Sequence, residues 1–422
     1  MQNIQEPVVE TATGPETAVA AALARPGAAV LERAHLAYLD GMRAIAALLI
    51  VLHHALLQSW PVTLYPDAVP SRLLPAWAGW QFYSNFGVIF FIALSGFCLM
   101  IPVVRRGGLR GGAREFLAKR LRRIAPPYYA ALALSVVIAG WLLRPHTHTL
   151  YDNSLPVTAR GVLLHLLFLH NLDVHTKYQI NGPLWSIGIE VQIYLLFPLF
   201  VWLWTRRGIV PVLTLGLVLT TVFHYALRGT VLAGFSATYI SIFTMGMYAS
   251  LLVFNDGSDR RSRRRAAALR FLSWVPAIAL LPLLFPAQAA GLMRNHMTAM
   301  DLVGGLISSS FLVILGRNPL HPVRRLVSWL PLVWVGGFSY SLYLIHFPLQ
   351  QLFWQTFLMN SPLSHGVRFA IVATVGTVLI VLSSWGFYRL CEKPFARSRP
   401  RAGATTFGQS SGEIVTVAQP IE

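Results

Sequence analysis

Residues 38–55 read YLDGMRAIAALLIVLHHA, an apolar run with an Arg near its start and two His near its end. On a helix, Arg43 and His54 fall within about 20° of one face and ~16 Å apart along its axis. Charged and ionisable groups inside a membrane span are costly, so they usually face a bundle interior or a watery cavity. Arg43 either works there or snorkels to the nearer interface, and His54 is either reactive or held by a structural hydrogen bond. Asp40, one turn before Arg43, is placed to pair with it.

The rest of the 422-residue chain repeats such runs from end to end, with 55% hydrophobic and 12% charged residues. A soluble domain of this size does not need that much apolar surface. The expected fold is all-α, a polytopic membrane helix bundle of about ten transmembrane helices with both termini cytoplasmic. The spans fall near 38–57, 81–104, 125–143, 183–204, 209–227, 231–254, 271–287, 299–316, 331–354 and 367–388. Residues 1–33 and 397–422 read as disordered cytoplasmic tails around a transmembrane domain at 34–396.

The net charge of +18 is not the footprint of nucleic-acid binding, because Lys and Arg cluster between apolar runs. Clusters at 105–124, Arg206–Arg207, 255–270, Arg317 with Arg324 and Arg325, and Arg389 onward all fall on one side of a ten-span bundle. That side is the cytoplasm by the positive-inside rule. Cys98 and Cys391 define no disulfide framework and no metal-ligand spacing, and no metal is expected. A composition rich in Ala, Arg and Gly suits a GC-rich bacterial genome, and hence an inner (plasma) membrane.

Further segments carry polar groups beyond what packing needs. Ser95 and Gly96 interrupt the second span, as close helix packing or as a site. Arg120 and Arg123 lie one turn apart ahead of Pro126 and Pro127, suited to topology, anionic lipid or a phosphate-bearing ligand. Glu190 is deep in the fourth span, and Ser186, Glu190 and Tyr194 make a stripe at helical spacing. Ser339, Tyr343 and His346 fall on neighbouring turns of the ninth span. In the connection 144–182, GVLLHLLFLHN is too short to cross, and its His165 and His170, with His175, read as solvated or interfacial. Counting ~1.5 Å per residue sets His54, His346 and Glu190 in the outer half, and Arg43, Ser95, Arg120 and Arg123 toward the cytoplasm. No internal repeat or broken-helix signal of a secondary transporter is visible.

These motifs, in this order, resemble the acyltransferase 3 family of multi-span O-acyltransferases. The carriers are LDGMRAIAALLIVLHH, GVIFFIALSGF, RLRRI with its prolines, WSIGIEVQIYLLFP, FSYSLYLIHFP and YRLCEKPF, from about Tyr38 to Phe395. The resemblance implies transfer of an acyl group, commonly acetyl from acyl-CoA as co-substrate, to a hydroxyl of a glycan, lipid-linked sugar or small molecule. It implies essential roles for Arg43 and His54, the family's conserved acid at Glu190, placed in the catalytic group to orient a His or hold the acceptor, and functional positions at Arg120, Arg123 and Ser95; Trp185 and Ser186 belong to the same motif as Glu190. Ile89 stands where many members have Asp, and the C-terminal SGNH-type domain of some members is not expected here. On this reading Arg120, Arg123 and Ser95 serve acyl-CoA, His54 acts as base, and Tyr343 and His346 support it. The rival expectation is a transporter exporting an acylated glycan or lipid through a proton relay of His54, Glu190 and His346.

Overall fold

Apolar runs that cross a bilayer must satisfy their own backbone groups, and here they do so as helices. The computed structural model describes residues 26–60, 77–78, 85–144, 146–255 and 286–396, with scattered positions between 264 and 278. Of 26–35 and 286–295 it describes the backbone alone. Every regular element among these residues is helical: α1 (Pro26–Ser59), α2 (Asn85–Arg106), α3 (Gly112–Val137, prolonged through Ile138–Leu142), α4 (Ala159–Leu166) and α5 (Trp185–Arg207). There follow α6 (Ile209–Ala226), α7 (Thr238–Phe254), α8 (Pro286–Arg317), α9 (Pro322–Val327), α10 (Leu330–Gly336), α11 (Ser339–Phe353, prolonged through Trp354–Leu358) and α12 (His365–Ala396). Among the described residues eight helices are long and apolar enough to span, or nine if α10 and α11 count as one bent crossing.

Seven expected spans coincide with helices, and two differ. The third crossing begins at Gly112, so Arg120 and Arg123 lie on α3 and not in a connection. Pro126 and Pro127 sit inside that helix instead of opening it. The ninth is broken between Gly336 and Ser339 with a bend of 74°, although no break was expected. The break follows a close contact: a Cβ on Gly336 would collide with the Asp40 carbonyl, so α10 lies backbone to backbone against α1 just before the chain bends. Helix α1 is described from Pro26, within the segment expected as tail. The remaining tail residues and most of 271–287 lie outside the described residues.

Contacts between helix ends fix their directions. Asn85, opening α2, donates to Asp301 Oδ1 of α8 at 2.8 Å and accepts from Tyr239 of α7 at 3.5 Å. Helices α2, α7 and the part of α8 beyond its kink at His296 therefore start at one face and run parallel. Arg105, Arg106, Arg206, Arg207 and Arg317 close helices at a common basic face.

The opposite face carries a lid built from residues 144–182. Its Asn181 is buried, donating to Ser135 Oγ at 3.0 Å and to the Leu344 carbonyl at 2.9 Å. Helix α5, which follows directly, thus starts below the surface of the bundle. His165 and His170 are buried, contrary to the solvated reading, with ring centroids 3.8 Å apart. The cause is the turn around them: Thr158 caps α4, and His165 Nδ1 donates to the Gly161 carbonyl at 2.7 Å, which folds both rings under the lid. His175 is exposed.

Helices α2 and α7 also pack backbone to backbone. A Cβ at Gly96 would strike the Phe243 carbonyl, and one at Gly246 the Ala93 carbonyl. Gly246→Val is expected to destabilise the bundle by ~1–3 kcal/mol or more, read as a lower melting temperature of detergent-purified protein. Gly366→Ala, where a Cβ meets nothing within 4 Å, is expected to leave that temperature unchanged.

Candidate active site between the basic face and the lid

Helix α1 carries two separate polar clusters on the side turned into the bundle. Toward the basic face, Arg43 pairs with Asp40 and also donates from Nη2 to Cys98 Sγ of α2 at 3.3 Å. Three cations from two helices converge on that thiol, since Arg43, Arg120 and Arg123 all lie within Coulombic range of it. The Arg120 guanidinium rests over the Phe116 ring at 5.7 Å, and Arg123 faces Glu392, whose carboxylate accepts from Ser341 at 2.5 Å. A cleft of about 440 Å³ opens beside this cluster, lined by Asp40, Arg43, Cys98, Pro102, Arg105 and Arg106 among others. Its lining has one carboxylate against three guanidiniums, an arrangement that favours an anionic ligand.

Ser95 turns from the packed Gly96 side toward α5. Its hydroxyl donates to Glu190 Oε1 at 3.0 Å and lies 2.7 Å from the Tyr194 hydroxyl, which itself donates to Glu190. Arg120 is within Coulombic range of both Glu190 and Tyr194. The carboxylate thus touches the basic cluster, not the histidines. The residue count had set Ser95 and Glu190 in different layers, and a 3.0 Å contact puts them in one. The count failed because it started α5 at the membrane surface, whereas the lid buries that start.

Toward the lid, His54 Nδ1 lies 3.0 Å from His346 Nε2 of α11. His346 Nδ1 points at two carbonyl oxygens, Tyr343 at 2.8 Å and Leu342 at 3.2 Å. Carbonyls only accept, so His346 Nδ1 carries its hydrogen and Nε2 a lone pair. His54 Nδ1 must then be the donor, which leaves the lone pair of His54 on Nε2. A neutral imidazole with that nitrogen unprotonated is a proton acceptor. Between the two clusters α1 presents buried Ala47, Ile50 and Val51.

The remaining expected residues take supporting places. The Tyr343 hydroxyl donates to the Pro183 carbonyl at 2.8 Å and meets Ser186 Oγ at 2.8 Å, so it ties α11 to the start of α5. Trp185 lies apart from the histidines, edge-on to Tyr239 and beneath Lys177 Nζ at 4.9 Å. Sequence reasoning passed over Cys98, Gln58, Gln350 and Gln351. The signal was present: Cys98 lies one turn beyond Ser95, Gln58 one beyond His54, and Gln350 one beyond His346. Among the described residues no group of His, Cys, Asp and Glu has the arrangement of a metal site.

Lid groups are electrically perturbed. Burial lowers His165 to about 4 and His170 well below its usual value, the neighbouring His165 adding to the latter. Burial also lowers Lys177 to about 8, opposed by the Asp301 carboxylate. For both histidines the unfolded lid binds protons that the folded lid does not, so lid stability is full above pH ~6.5 and falls as pH drops toward 4. Acidification through that window is expected to raise hydrogen exchange across 159–176 by up to about tenfold per pH unit for each proton taken up. His170→Asn is expected to flatten part of that dependence.

Comparison with known proteins places these elements in context. The model of a family described as an acyltransferase domain matches residues 36–389. The chain is 22% identical to the peptidoglycan O-acetyltransferase OatA of Listeria monocytogenes, over 87% of this chain and 56% of that protein. It is 24% identical to a Bacillus subtilis protein assigned provisionally as a peptidoglycan O-acetyltransferase, over 84% of this chain and 54% of that one. The OatA O-acetyltransferase of Staphylococcus aureus is 22% identical over 87% of this chain and 58% of its own length. The chain therefore spans little more than half the length of these relatives. No solved structure matches it. With a match that takes in all but the two ends, and with the Arg43, Arg120 and His54 clusters inside it, this multi-pass membrane protein belongs to the acyltransferase family that the model describes.

Proposed function

We propose that the chain is an integral-membrane O-acyltransferase that moves an acyl group, acetyl in the first instance, from acyl-CoA to a hydroxyl of a glycan, a lipid-linked sugar or a small molecule. The observation that carries this reading is the hydrogen-bond chain from the Tyr343 carbonyl through His346 to His54, which leaves His54 Nε2 as a base inside the bundle. Acyl-CoA arrives at the basic face, taken as cytoplasmic in a bacterial inner membrane, and Arg120, Arg123 and Arg43 pair with its phosphates. Its thioester reaches toward His54. The acceptor comes from the lid face.

His54 Nε2 takes the hydroxyl proton as the oxygen attacks the thioester carbonyl. A C–O bond forms, the C–S bond breaks, and the imidazolium returns the proton to the departing thiolate. The Nδ1–H bond to His346 holds the His54 ring in the orientation this requires. Glu190 sits among Ser95, Tyr194 and Arg120, so its role is to order the donor side. The names of the relatives, peptidoglycan O-acetyltransferases, support a glycan acceptor and an acetyl group.

The broken crossing α10–α11 favours a second reading, export of an acylated glycan or lipid, because discontinuous helices recur in transporters. It predicts redistribution of a compound without a new ester. Mass spectrometry of glycans, lipids and metabolites from cells expressing matched membrane levels of each variant separates the two. His54→Ala is expected to lower ester formation by about 10²-fold or more. Arg120→Ala with Arg123→Ala is expected to raise the KM for acyl-CoA more than it lowers kcat. Ester at wild-type levels with His54→Ala and His54→Gln would exclude the base assignment.

A further inference from the structure

If His54 Nε2 is the base, a hydroxyl must be held beside it, and the groups next to it on the lid side are amides. Gln351 Oε1 accepts from Gln58 and from Thr149 Oγ1, the latter at 2.9 Å, and its Nε2 has no partner among the described residues. Turning that amide over would still leave one of its two polar atoms unmatched. Gln350 Nε2 donates to the Val51 carbonyl at 3.2 Å, and its Oε1 likewise has no partner. Val51 is one turn from His54, so the Gln350 amide lies alongside the histidine pair. Both glutamines are 0% exposed.

Unmatched amides in an apolar bundle are destabilising, and packing alone would be better served by Leu or Met. Two of them on consecutive residues, beside a free histidine nitrogen, are groups kept for a ligand. We propose that Gln350 and Gln351, with Gln58, form the acceptor subsite, and that it takes a neutral polyhydroxylated molecule, a saccharide, from the lid face. This deepens the acyl-transfer reading and rests on it.

The chemistry of the seam sets the class. One open acceptor at Gln350 and one open donor at Gln351 match hydroxyls, which both give and take hydrogen bonds. Among the described residues no carboxylate, ammonium or guanidinium bonds to these amides; Asp152, on the same stretch of lid, is held by Thr147 Oγ1 at 2.6 Å and the His148 N–H at 2.9 Å. The Phe347 ring, 4.8 Å from His54 and stacked on Tyr151, supplies an apolar wall against which a sugar ring can lie.

The test uses the full chain with Gln350→Met or Gln351→Met, which keep volume and remove the unmatched atoms. Base-releasable acyl ester in cells is measured at matched membrane levels, with acetyl-CoA affinity and melting temperature of the purified protein. The expected result is ester reduced about tenfold or more, acetyl-CoA affinity unchanged, and a melting temperature equal or raised. Wild-type ester in both variants overturns the subsite, as does parallel loss of acetyl-CoA binding. A lowered melting temperature accompanying ester loss in both assigns the glutamines to packing and also overturns it. An ester found only on anionic compounds overturns the neutral class. No ester in the wild type, by contrast, rejects the acyl-transfer reading itself.

Discussion

The hydrogen bond between His54 and His346 joins α1 to α11, and the chemistry proposed for the chain depends on which nitrogen holds the hydrogen. Two backbone carbonyls make that choice. They sit on the first turns of α11, directly after the break at Gly336, where α10 is pressed against the Asp40 backbone. The bend and the two carbonyls lie within one turn or two of the close contact between α1 and α10.

The same helix α1 brings Arg43 to a cleft whose other cations, Arg105 and Arg106, come from α2, with Arg120 and Arg123 of α3 near its Cys98. Cys98 occupies the centre of that cluster, and Glu190 closes it through Ser95 and Tyr194. The site is therefore two-sided, with guanidiniums at one end and neutral imidazoles and amides at the other. Such a division suits a reaction whose two substrates differ in charge and approach from opposite faces.

Much of this was legible in the chain. Apolar run lengths located most helices, the i, i+3 spacing of Asp40 and Arg43 foretold their pair, and both His54 and His346 were singled out. What was not legible depends on contacts distant in sequence. Residue counting cannot see that the lid lowers the start of α5, so it separated Ser95 from Glu190. Hydropathy cannot see that Gly336 meets another backbone, so it drew a straight ninth span. His165 and His170, five residues apart, looked unlike one helical face. A turn, not a helix, stacks them.

Between the two clusters, Ala47, Ile50 and Val51 of α1 stand buried and apolar. A membrane that stores an ion gradient tolerates a reaction centre open from both faces only if no water file joins them. Arg43 and His54 are ~16 Å apart along α1, against a hydrocarbon core of about 30 Å. Ala47 and Val51 pack with Leu342 and Ile380, and Ile50 lies against Gly87, so the helix interfaces between the two clusters are close and apolar and a hydrated ion meets a dielectric barrier there.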